Sequence, residues 1–182
     1  ENVVGPRSST YVALALSAFP IGHIADVKKV LLLLISHGLV GAIGFAAGIY
    51  LLPILIAPPA PTETELAAAK SGAMFTGRFT RDLEGSDAFH WGEGEVVVSA
   101  TDVSLTGTLA PGPDYKLYLT PEFVETEAEF EAVKARSARV GDVRTFENFI
   151  VAVPASVDPK AFTTVVVWCE TFSEFITAAR YR

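Results

Sequence analysis

The thiol and imidazole groups of this 182-residue chain are few: one cysteine, Cys169, and three histidines, His23, His37 and His90. Cys169 lies in "TTVVVWCETFSEF", directly behind Val165, Val166, Val167 and Trp168. It is either a redox thiol or ligand, and so the one catalytic candidate, or a small hydrophobe completing a buried strand. Thiolate chemistry asks for exposure and a lowered pKa, whereas a run of three valines and a tryptophan implies burial, which raises the pKa. The core role is therefore the expected one, with Val166, Trp168 and Phe172 as neighbours.

Spacing narrows the chemistry further. Without a C-x-x-C-H there is no covalent c-type haem, and without a C-x-x-C there is no thioredoxin-like dithiol. An iron–sulfur cluster needs more thiolates than the chain holds. What remains for cofactor binding is Cys169 with His90; haem or another chromophore there has no motif behind it, and no cofactor is evident. Zinc would need further ligands, and no metal is expected. No phosphate-cradling glycine loop and no G-x-S-x-G occurs, and "RDLEGSD" reads as a turn with weak calcium potential, so an enzyme is the less favoured reading.

His37 has a different setting. From Val30 to Ala57 no residue is charged, and the helix Val30–Leu52 would extend about 35 Å, slightly more than the ~30 Å hydrocarbon core of a bilayer. That exceeds the apolar region of a signal peptide. A single transmembrane helix over residues 28–57 is expected in an inner (cytoplasmic) membrane. Lys28 and Lys29 precede it and the next basic residue is Lys70, which places the N-terminus in the cytoplasm and the C-terminal part outside, with His23 and His90 on opposite sides. His37, Gly41, Gly44 and Gly48 fall on one helix face, and Gly44 to Gly48 is a G-x-x-x-G, so this stripe is the expected packing surface for a partner helix. An imidazole within a bilayer is a functional candidate by default. His37 is expected to hydrogen-bond across a helix interface, with ligation of a neighbouring subunit's porphyrin or chlorin as the alternative.

Charge divides along the chain. Residues 58–182 carry 19 acidic against 11 basic residues, net −8, while residues 1–57 carry two acidic and three basic, net +1. Such an external domain excludes nucleic acid and suits a basic protein surface. "TYVALALSAFP", 10–20, is too short to span and reads as a short apolar helix within a cytoplasmic segment 1–27. "APPAPTETE" opens a proline-rich linker, 58–72, expected to hold the next domain off the membrane, with a helical turn or two in "LAAAKSGA". Beyond residue 73, "EVVVSA", "VSLTGTL", "YKLYLT", "FIVAV" and "FTTVVVW" are short β-rich runs between glycine and proline punctuation such as "APGPD" and "VGD". They imply a mainly β fold, an antiparallel sandwich over 73–182. One helix is expected across 121–140, with Glu125, Glu127, Glu129 and Glu131 as its solvated start and Lys134, Arg136 and Arg139 at its end.

"FHWGEGEVVV", "DYKLYLTPE", "VGDV", "FIVAVP" and "VVVWCETFSEF", in that order, resemble the extracytoplasmic DM-thirteen domain, over about residues 73–180. Trp168, Cys169 and Phe172 form the most specific element; the H-x-x-x-G of His90 and Gly94 is weaker. The resemblance implies a β-rich domain acting in electron transfer, with Cys169 as redox thiol or cofactor ligand. In one respect the sequence departs from the family: Phe175 follows Phe172 by three residues where four are expected, a shift that can turn a side chain to the other face. The resulting expectation is an accessory subunit of a membrane electron-transfer or energy-transducing complex, with an electron-transfer domain working through Cys169 as the alternative.

Overall fold

The computed structural model describes residues 22–182; the segment 10–20 lies outside them. The first element, α1 (Gly22–Ile56), is a continuous helix of 35 residues. Within its portion Asp26–Ile56, an 18-residue window has a mean hydropathy of 2.3, and none of that window is buried by the described residues. One described helix is thus long and apolar enough to cross a membrane. It runs on through Pro53 to Ile56, one residue short of the expected end at residue 57.

After an extended stretch, α2 (Glu63–Lys70) starts inside the expected linker. Thr62 accepts from the Glu65 backbone N–H and Glu65 reaches back to Thr62, a reciprocal cap that explains why a helix begins in a segment read as a spacer. Eight strands follow: β1 (Ala73–Phe79), β2 (Gly92–Ser99), β3 (Asp102–Leu109), β4 (Tyr115–Thr120), β5 (Ala138–Val143), β6 (Glu147–Ala152), β7 (Thr164–Cys169) and β8 (Glu174–Arg180), with α3 (Glu127–Lys134) between β4 and β5. They form two four-stranded sheets, ordered β1-β2-β3-β6 and β5-β4-β7-β8, and every pairing is antiparallel. The fold is mainly β, an antiparallel sandwich behind one long apolar helix.

Two clusters hold it together. The sandwich interior takes Phe79, Val96, Leu105, Leu117, Phe149, Val167 and Ile176 from both sheets. Outside the second sheet, Tyr118, Val166, Trp168 and Phe175 are covered by Val124 and by Phe130 and Val133 of α3. Strand β7 is buried on both faces, which is why "TVVVWC" shows no polar alternation. The strand β8 keeps pace through a register shift opposite Val167 and Trp168. Phe175 faces outward beside Trp168 and Ile176 inward.

The expected helix over 121–140 is corrected to α3, 127–134. Thr126 caps its start, and the chain from Ala138 onward fills the edge of the second sheet as β5, so "VGD" lies within a strand. Acids and bases at the two ends of a segment are compatible with a helix dipole but do not mark where the helix stops. Arg139 instead pairs with Asp142 at 2.9 Å. Of the glutamates, Glu129 accepts from the Glu125 N–H and Glu127 from the Phe175 N–H.

Phe130, fully buried and 4.7 Å from Trp168 between ring centroids, pins α3 to β7. Phe130→Ala should lower stability by about 3–5 kcal/mol, read as a fall in the urea midpoint with the slope unchanged. A change within a few tenths of a kcal/mol would mean that α3 does not seal the sheet.

Candidate functional site

Cys169 ends β7, flanked across the sheet by Tyr115 of β4 and Glu174 of β8. Alternation sends Val165, Val167 and Cys169 into the sandwich interior and Val166 and Trp168 to the face under α3. The expected neighbours of the thiol are therefore corrected: Val166 and Trp168 point away from it, and Phe172 is 48% exposed. Cys169 itself is 2% exposed, and its S–H donates to the Pro113 carbonyl at 3.1 Å. Burial pushes the thiol pKa up; the Phe172 and Thr171 backbone N–H groups pull against this without reversing it, and the Asp114 carboxylate adds to the rise.

His90 sits in the loop before β2. The Asp87 carboxylate takes the Phe89 and His90 backbone N–H groups at 2.6 and 2.7 Å, and its other oxygen lies 3.1 Å from His90 Nδ1. Burial raises the Asp87 carboxyl, but these donors outweigh it and hold the group below its ordinary value. His90 and Cys169 line the same cavity, of about 380 Å³, together with Tyr115, Phe172 and Ile176. The fold thus brings together two residues 79 positions apart in sequence. Gly94, the other half of the H-x-x-x-G, serves the sheet. It has φ +137°, opposes Gly107 in the β2–β3 pair, and a Cβ there would run into the Thr106 carbonyl.

His37 and the glycine stripe lie on α1. The His37 ring donates from Nδ1 to the Leu33 carbonyl at 2.8 Å, so one of its two nitrogens is used by its own helix. A Cβ added at Gly41, Gly44 or Gly48 would meet nothing within 4 Å among the described residues beyond the adjoining turns of the helix itself.

Two polar groupings have no sequence signal, because their members come from distant strands. Tyr118 donates to Glu170 at 3.1 Å, and Lys134 binds the same carboxylate at 2.7 Å while lying 5.2 Å over the Trp168 ring. Burial, with the Glu170 hydrogen bond, raises the Tyr118 phenol to about 12. Trp168 Nε1 is buried with no hydrogen-bond partner among the described residues. The second grouping is at the β4–β5 edge. Lys116 is held by Asp114 at 2.5 Å and Asp142 at 3.1 Å, and Asp142 also pairs with Arg139 and Arg144. Lys116 and then Arg139 hold the Asp142 carboxyl at about 2, burial opposing them.

Among the described residues no three His, Cys, Asp or Glu side chains converge as a metal site. A thiolate-bound cofactor also fits poorly at Cys169 as it stands, since the sulfur is spent as a donor to Pro113 and burial favours the neutral thiol.

Fold and site define an antiparallel β domain built around one buried, neutral thiol and preceded by an apolar helix. The Electron transfer DM13 family matches residues 77–181, more than half of the chain, and the protein belongs to that family. Its membership supports a role in electron transfer. No curated protein and no solved structure matches the chain.

Two measurements test the reading of Cys169. Maleimide should label the native protein only after denaturation, and Cys169→Ala should cost modest stability, whereas Cys169→Asp should be severe because a carboxylate would be buried without a partner. Rapid native labelling at neutral pH would overturn the assignment. A raised thiol pKa also has a pH signature. The unfolded thiol ionises from about 8.5 while the folded one keeps its proton, so stability is fully present below that value and falls as pH rises through it. Cys169→Ala should flatten this part of the alkaline limb; an unchanged limb would mean that the thiol is not perturbed by folding.

Proposed function

We propose that the chain is a single-span, membrane-anchored accessory subunit of a bacterial-type electron-transfer or energy-transducing complex, respiratory or photosynthetic. Its N-terminus lies in the cytoplasm and its β domain on the periplasmic side of the inner membrane. The observation that carries the reading is α1: an apolar helix with no buried side chain among the described residues, attached to a domain of an electron-transfer family. A helix apolar on all sides needs lipid or other helices around it. His37, Gly41, Gly44 and Gly48 supply a close-approach face for a partner helix. The orientation rests on Lys28 and Lys29 before the span. The acidic β domain contacts a basic protein surface of the complex.

A second reading, in which Cys169 alone or with His90 carries the redox event, draws on their shared cavity. The neutral, hydrogen-bonded thiol speaks for the first.

Gentle detergent extraction followed by identification of co-migrating subunits, with absorption spectra, separates the two. The expected result is a colourless isolated chain that co-migrates with a pigmented complex; a chromophore retained by the purified chain, lost in Cys169→Ala, would favour the second. Gly44→Leu should weaken co-migration without changing the denaturation of the β domain, because a bulky side chain closes the helix face. Co-migration equal to the wild type would remove the glycine face from the interface.

A further inference from the structure

Of the large hydrophobic side chains exposed in the described residues, all but two belong to α1; the two are Phe89 and Phe172. They are 62% and 48% exposed and sit in different loops, before β2 and between β7 and β8. Both loops lie at one end of the sandwich, and both meet the same part of α1. The Phe89 ring stands edge-on to Tyr50 with centroids 6.3 Å apart. Phe172 and Pro113 share a depression with Phe45, Ile49 and Leu52.

The depth of that part of α1 follows from length. A bilayer core takes about 20 helical residues, and the uncharged run covers residues 30–57. Any window of that length drawn from the run contains residues 38–49. Whichever register the helix adopts, Phe45 and Ile49 lie in hydrocarbon and Tyr50 is inside it or at its edge. Side chains beside them cannot stand in bulk water.

We propose that the β domain docks onto the bilayer that α1 spans, with Phe89 and Phe172 inserted among the lipids as two feet. The inference rests on the spanning role of α1 and contradicts a domain held off the membrane by the proline-rich segment. The attraction is apolar, since the domain is acidic and the two feet carry no charge. It follows that the cavity of His90 and Cys169, whose wall includes Phe89, Phe172, Ile49 and Tyr50, lies at the membrane surface.

The test uses the full chain in phosphatidylcholine vesicles. An environment-sensitive fluorophore is attached at Phe89→Cys, Phe172→Cys, Leu39→Cys or Ser156→Cys, each on a Cys169→Ala background. Ser156 lies in the β6–β7 connection, at the other end of the strands. Labels at 89 and 172 should emit blue-shifted and be quenched by spin-labelled lipid, insensitive to added salt, while the label at 156 is neither. The label at 39 should be quenched in either case if α1 spans. Quenching at 39 with none at 89 and 172 overturns the docking and leaves the anchor intact; no quenching at 39 overturns both. If the Cys169→Ala background does not fold, lipid-borne bromine quenching of Phe89→Trp, against the wild-type chain, reads the same depth.

Discussion

Burial of β7 on both faces is the constraint on which the rest of the domain depends. One face of "TVVVWC" must meet the other sheet, and the other must be covered by something that is not a sheet; α3 does this with Phe130 and Val133. A strand in this position has no polar side to face water, so every residue in it is apolar or a small hydrogen-bonding group. The local chemistry follows. Trp168 and Cys169 are adjacent in sequence but occupy different cores, one under the helix and one within the sandwich.

The placement of Cys169 bears directly on function. A thiol between two sheets is kept neutral by desolvation and is pinned by the Pro113 carbonyl, while His90, held by Asp87, borders the same cavity. This arrangement lacks the exposed, electropositive surroundings that activate a thiolate. Several charged groups of the domain are instead paired with one another, Glu170 with Lys134 and Asp142 with Lys116, Arg139 and Arg144.

The helix and the sandwich treat their apolar side chains differently. No described side chain of α1 is buried, whereas the acidic sandwich buries its apolar groups well and exposes two large ones. The two exceptions sit next to the C-terminal part of α1, and on them rests the proposed docking of the domain.

By itself the sequence determined the apolar helix, the mainly β class and five of the eight strands, because each depends on runs of residues that are local along the chain. The family too was legible, through "VVVWC" and the motifs around it. The strands β1, β5 and β8 were not read. β1 and β5 are edge strands with mixed polarity, and β8 carries the register shift that breaks its alternation. The end of α3 was missed for the same reason, since Arg136 and Arg139 suit a helix terminus or a sheet edge equally. Only tertiary structure decided which face of β7 each side chain takes, that Cys169 and His90 share a cavity, and that Glu170 joins Tyr118 to Lys134. Those facts depend on sheet pairing between segments tens of residues apart, and no local pattern records which strand will lie beside which.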